Sequence, residues 1–81
     1  MYTVYVLQGN EGKLYKGFTN NLPRRIKEHR AGHTQTTSRM GNLVVVYKEV
    51  YADKSEARKR ELYLKSAPGR KFLKRILKLP P

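Results

Sequence analysis

On the helical wheel of the segment from Asp53 to Ser66, Glu61 falls between Ala57 and Leu64, inside the apolar stripe. A carboxylate facing inward costs free energy unless it is paired or coordinates a metal. The chain holds 6 acids against 18 lysines and arginines, a net charge of +12. An inward acid in so cationic a chain points toward metal-assisted chemistry on a polyanion. The plainer reading of the same position is an internal salt bridge to a nearby cation. A second group of reactive side chains lies upstream. Arg25 and His29, one helical turn apart, sit beside the stripe marked by Leu22 and Ile26, whereas Arg24 and Lys27 point away. An inward guanidinium offers a fixed fork of donors that suits a phosphate oxygen or a carboxylate. Its plainer role is a structural pair with Glu61, and that of His29 is a satisfied histidine at a helix end.

Tyr5 and Tyr15 belong to two extended runs, with Gly17 just beyond the second tyrosine. The tyrosines would oppose each other if the connecting loop held about three or five residues, or if a bulge shifted the register; a strict loop of about four would separate their faces. Gly17 in a strand interior suggests close approach by another backbone or a ligand.

The elements that must position these groups follow from the pattern. Tyr2 to Leu7 and Lys13 to Phe18 read as a hairpin around the turn Gly9-Asn10-Glu11-Gly12. Asn20 and Asn21 offer an N-cap, with Pro23 in the first turn of a helix running to about Ala31 and ended by Gly32. A polar stretch from His33 to Asn42 follows. Leu43 to Tyr51 reads as a third strand, apolar enough at its start to be covered on both faces. Asp53 and Glu56 make a capping-box-like start to the second helix, and Ser66 or Ala67 with Pro68 opens a third that stops before Pro80. The expected fold is α+β: a three-stranded antiparallel sheet, order 2-1-3, flanked by three helices in the sequence β-β-α-β-α-α.

Composition limits the alternatives. The 81 residues make one small domain spanning 1–81, with no internal repeat and no separating linker. There is no cysteine for a disulfide or thiolate zinc site, and two histidines cannot build a structural metal site alone. No apolar run approaches a membrane span and no signal peptide is legible, so a cytoplasmic, monomeric protein is expected. The cationic excess repels itself, and a phosphate backbone is its most common justification. An anionic membrane competes as partner only through the last helix, where Phe72, Leu73, Ile76 and Leu77 oppose a row of cations. In so small a protein that apolar face is expected to close the core.

The ordered set of tyrosine hairpin, Arg25, His29 and inward Glu61 resembles the GIY-YIG nuclease superfamily, most of all its small stand-alone bacterial members. Thr3-Val4-Tyr5 stands for the first tripeptide and Tyr15-Lys16-Gly17 for the second; GFTNNLPRRIKEH and RKRELYLKS are similar to the later motifs. The likeness runs from Tyr2 to about Leu77. Thr3 replaces the first glycine, Lys16 replaces the isoleucine, and the asparagine that many members carry after the glutamate helix has no equivalent.

The resemblance implies a metal-dependent endonuclease hydrolysing phosphodiester bonds in DNA. Glu61 would anchor one Mg²⁺ or Mn²⁺, and Arg25 would neutralise charge on the scissile phosphate. A phenol lowered in pKa by nearby cations, Tyr5 or Tyr15, would take the proton of the attacking water, with His29 positioning the other tyrosine or the water. Lys16, Gly17, Thr37, Arg39, Arg58, Lys59 and Lys65 are the expected nucleic-acid contacts. With no second domain to read bases, recognition of nucleic-acid structure is expected over sequence. RNA and branched DNA stay open as substrates, as does a protein partner that delivers them. The alternative class is a non-catalytic, basic nucleic-acid-binding module that keeps the fold.

Overall fold

A computed structural model describes residues 1–32 and 41–78. Strand β1 (Tyr2–Gln8) pairs antiparallel with both β2 (Leu14–Thr19) and β3 (Val44–Tyr51), giving the order β2-β1-β3. The expected topology is the observed one. The uninterrupted apolar run of β1 explains its central place: Val4 and Val6 face one helical layer, Tyr5 and Leu7 the other, and all four are buried. Helix α1 (Leu22–Arg30) covers the Tyr5 face with Leu22 and Ile26. Helices α2 (Lys54–Lys65) and α3 (Ala67–Ile76) cover the Val4 face with Ala57, Leu64 and Leu73.

Local chemistry sets the helix ends. The Asn21 side chain accepts from the Arg24 backbone N–H at 3.1 Å, and Ser66 Oγ accepts from the Gly69 N–H at 3.4 Å. Asp53 makes no such cap, so the expected capping box does not close; its carboxylate instead meets Ser55 Oγ at 3.5 Å. The α2–α3 corner is tight. A Cβ on Gly69 would lie 1.9 Å from the Tyr63 carbonyl oxygen and 2.6 Å from Leu64 Cα, so only glycine lets the helices turn there.

Two expectations about the periphery need correction. The third strand, at the expected edge of the sheet, is not covered on both faces: Val44 is 57% and Val50 53% exposed. Its apolar start reflects a bulge opposite Val6 and Leu7, which turns Val45 toward α1 and Val46 and Tyr47 toward α2 and α3. In the last helix Leu73 is buried and Phe72 packs on the core, but Ile76 stays exposed. The core closes with a narrower apolar face than the sequence suggests.

Candidate active site

The hairpin register decides which groups can meet. Tyr5 pairs with Gly17 and Leu7 with Tyr15 across the ladder, joined by the connection 9–13 that contains a single 3₁₀ turn. Of the registers left open, the structure takes one in which the two tyrosines share a face as diagonal neighbours, with ring centroids 6.3 Å apart. Gly17 is explained by its partner. A Cβ there would sit 2.8 Å from the Tyr5 hydroxyl and 2.9 Å from Cζ, so the Tyr5 ring, not another backbone or a ligand, occupies the space above it.

Helix α1 brings Arg25 and His29 down onto this pair. The Tyr5 hydroxyl and His29 Nε2 are 2.9 Å apart, and the Tyr15 ring meets the His29 ring edge-on at 4.8 Å. The Arg25 charge bears on the Tyr5 phenol, while its Nη1 donates to Glu28 Oε1 at 3.1 Å. With the imidazole proton on Nδ1, His29 Nε2 accepts from the Tyr5 O–H. Burial pushes the Tyr5 phenol above its usual value, more than the Arg25 bond lowers it. The expected acidified tyrosine is thus reversed at Tyr5, because its oxygen lies out of water. Burial, then the neighbouring Arg25 charge, push His29 below the usual histidine range, so it is neutral at neutral pH. The Arg25 guanidinium is held charged by its bonds to Tyr5 and Glu28.

Glu61 reaches this neighbourhood from the opposite layer, where α2 packs across all three strands; its charge bears on the Tyr5 phenol. It is 7% exposed. Its cations are Arg58, 3.7 Å from Oε1, and Lys65, 3.6 Å from Oε2, both on its own helix and at least half exposed. Neither distance is a hydrogen bond, and Oε1 is buried with no hydrogen-bond partner. The internal salt bridge to Arg25 does not form, because Glu28 on the same turn of α1 takes that guanidinium. No group of three or more potential ligands clusters among the described residues. Among the described residues Glu61 is the buried carboxylate with unused coordination capacity.

The remaining expected contacts divide. Lys16 opposes Val6 and is half-buried on the α2–α3 face, where Lys65 and Arg70 repel it. Arg58 and Lys65 flank Glu61, and Lys59 is exposed on the same helix. Thr37 and Arg39 lie outside the described residues. The sequence reading missed Glu28 and Arg70. The spacing of three between Arg25 and Glu28 could have found the first; only the α2–α3 corner brings in the second. Among the described residues no helix is long and apolar enough to cross a membrane.

The family model described as the GIY-YIG catalytic domain matches residues 1–74. A UPF0213 protein of Clostridium perfringens is 42% identical over 66 residues, covering 80% of this chain and 71% of its own. One from Desulfotalea psychrophila is 44% identical over 72 residues, covering 84% of this chain, which spans only 64% of that relative. One from Staphylococcus haemolyticus is 36% identical over 74 residues, covering 90% of each. The solution structure of a UPF0213 protein from Bacillus halodurans superposes with a TM-score of 0.58 at 30% identity, over 94% of this chain and 85% of that one. A hairpin carrying two tyrosines, a helix presenting Arg25 and His29, and a buried glutamate on a later helix thus come with a family match over nearly the whole length: the chain belongs to the GIY-YIG family of nuclease domains.

Proposed function

We propose that this protein is a metal-dependent endonuclease that hydrolyses phosphodiester bonds in DNA and recognises nucleic-acid structure rather than base sequence. The observation that carries the reading is the buried, unbonded Oε1 of Glu61 in a chain of net charge +12. A buried carboxylate kept without a hydrogen bond costs stability, and a divalent cation is the ligand that offsets it. Mg²⁺ or Mn²⁺ held by Glu61 would supply Lewis-acid stabilisation of the leaving oxygen; Mg²⁺ in particular accepts a single carboxylate and keeps several waters.

The chain's own residues supply the rest. Arg25, fixed by Glu28 and Tyr5, is placed to neutralise charge developing on the phosphate. Tyr5 is the better placed of the two tyrosines to act as base. If DNA docking delivers the attacking water to this buried oxygen, it would take the water's proton as its own passes to neutral His29 Nε2. A phenol raised in pKa is a poor resting phenolate but a good relay, because proton gain and loss are simultaneous. Tyr15 packs against both rings and holds His29 in line.

The test is cleavage of nicked, branched, single-stranded and duplex DNA with Mg²⁺ or Mn²⁺, beside Glu61→Gln and Tyr5→Phe. Metal-dependent cutting that both variants lose is the expected result. Because His29 must be neutral to accept, the rate should fall on acidification only below about pH 6.5, the ordinary histidine value. DNA binding with no cutting of any substrate would instead establish a non-catalytic module.

A further inference from the structure

We propose that Lys16, Lys65 and Arg70 form a cradle for the phosphate of the same DNA strand that adjoins the reacting one, on the face of the sheet opposite Arg25. The inference rests on the endonuclease reading for the identity of the polyanion. The cradle itself rests on where three elements place three cations. Lys16 leaves β2 on the Val6 face, away from Tyr15 and α1, and is half-buried there. Lys65 ends α2, with Nζ 3.6 Å from Glu61 Oε2. Arg70 stands one turn into α3, and its Nη1 donates to the Lys65 carbonyl oxygen at 2.8 Å, which ties the guanidinium to the α2–α3 corner. The two helices meet closely at that corner, where a Cβ on Gly69 would lie 1.9 Å from the Tyr63 carbonyl oxygen.

Like charges held together raise the free energy of the folded state unless something offsets them. Burial and then the charges of Arg70 and Lys65 lower the Lys16 ammonium's pKa, so the repulsion is felt across the cluster. Among the described residues no ion pair relieves Lys16 or Arg70: Glu28 is taken by Arg25, Glu49 by Arg60, and Glu61 faces Lys65 and Arg58. A single tetrahedral anion with several acceptor oxygens would relieve all three cations at once. Lys65 links this cluster to Glu61, so an anion seated here lies next to the candidate metal ligand while Arg25 lies across the sheet. Consecutive phosphates of one strand would then address Arg25 and the cradle from either side of Glu61. The arrangement gives the strand a path and fixes which phosphate meets the metal.

The experiment measures binding alone, by fluorescence anisotropy of a labelled DNA in EDTA over a range of salt. Wild type is compared with Lys16→Gln, Arg70→Gln and the double variant, and with Lys48→Gln, a charge-matched change on the other edge strand and on the opposite face of the sheet, where it pairs with Tyr5. Each cradle variant should flatten the slope of log affinity against log salt by up to about 0.9 for duplex or about 0.7 for single-stranded DNA. If both cations share one phosphate, the double variant should lose no more than about one such unit. Lys48→Gln should leave the slope unchanged, and Arg70→Lys should restore it, which separates charge from packing at the corner. Slopes for the cradle variants equal to that of Lys48→Gln would overturn the proposal and leave the endonuclease reading intact. A wild type that does not bind DNA would overturn both. Normal cradle slopes with no cleavage under any metal would retain the cradle and remove the catalytic reading.

Discussion

Glu49 and Glu61 are both largely buried carboxylates on the same side of the sheet, and they are treated in opposite ways. Glu49, on β3, accepts from the hydroxyls of Tyr47 and Tyr51 and from Arg60 Nε and Nη2 at 2.9 and 3.1 Å. Arg60 in turn stacks over the rings of Tyr63 and Phe72, 4.8 and 5.0 Å from their centroids. Glu61, the next residue along α2, has two ion pairs beyond hydrogen-bond range and one oxygen with no partner. The fold therefore has the means to satisfy a buried acid and does so one residue away. Glu49 is a structural acid, complete in the free protein, whereas Glu61 is completed by something that arrives. The two are also coupled: Arg60, clamped to β3, fixes the rotation of α2 about its axis and so fixes where Glu61 points.

The largest expected difference between them is in rate. Glu61→Gln should reduce cleavage by roughly two to three orders of magnitude, the usual cost of losing a transition-state electrostatic contact. Its melting temperature should hold or rise, since the change removes a buried carboxylate whose Oε1 has no hydrogen bond and whose ion pairs are long and half exposed. Arg25→Ala should match that loss, while Arg24→Ala, exposed on the outer face of α1, should only weaken binding modestly. A Glu61→Gln variant that unfolds while keeping its specific activity would erase the distinction between the two acids.

Next in size is stability. Glu49→Gln removes the charge that Arg60, Tyr47 and Tyr51 share and should cost about 1.5–3 kcal/mol, the range for hydrogen bonds to a charged group. For a domain of this size that is a fall in melting temperature of roughly 4–8 °C per kcal/mol. The remaining folded protein should still cut DNA, with a loss far smaller than that of Glu61→Gln. A variant that is fully stable yet as inactive as Glu61→Gln would mean that Glu49 acts in the chemistry.

The sequence revealed one of these acids and not the other, for a physical reason. Glu61 breaks a helical stripe, and a helix makes such a break visible because side chains about four residues apart share a face. Glu49 alternates correctly in a strand between Tyr47 and Tyr51, so nothing in the pattern sets it apart from an ordinary solvated position. The same logic covers the fold. Central β1 was legible from its unbroken apolar run, and α1 from its cap and proline, but which β3 side chains face which layer depends on a bulge that no periodicity records. Arg25 was correctly turned inward by its spacing to Leu22 and Ile26. Its partner Glu28 and the hydrogen bond of Tyr5 to His29 depend on the ladder register, which a glycine-containing loop leaves open.

The smallest predicted effect, and the most specific to Glu49, is its dependence on pH. Burial by itself would raise this carboxyl, but the bonds from Tyr47, Tyr51 and Arg60 together outweigh it and hold the pKa below the usual carboxylate value. A folded-state pKa below the unfolded one stabilises the fold at all pH above the unfolded value, about 4.3 for glutamate, and that contribution is lost as pH falls through the folded value. The advantage of wild type over Glu49→Gln should therefore be constant from about pH 7 to pH 5 and shrink below about pH 4.3. Urea unfolding of both proteins across that range reads the difference directly, since the other carboxylates titrate in both and cancel. At the alkaline end the sign reverses. Tyr51, pushed up to about 12 mainly by its bond to Glu49, loses its stabilising contribution as pH rises from about 10 through that value. Tyr51→Phe should thus be less stable than wild type at neutral pH, with the gap closing only above about pH 10. A gap that stays constant at both extremes would mean that the four donors on Glu49 do not act on its charge, and the contrast with Glu61 would then rest on geometry alone.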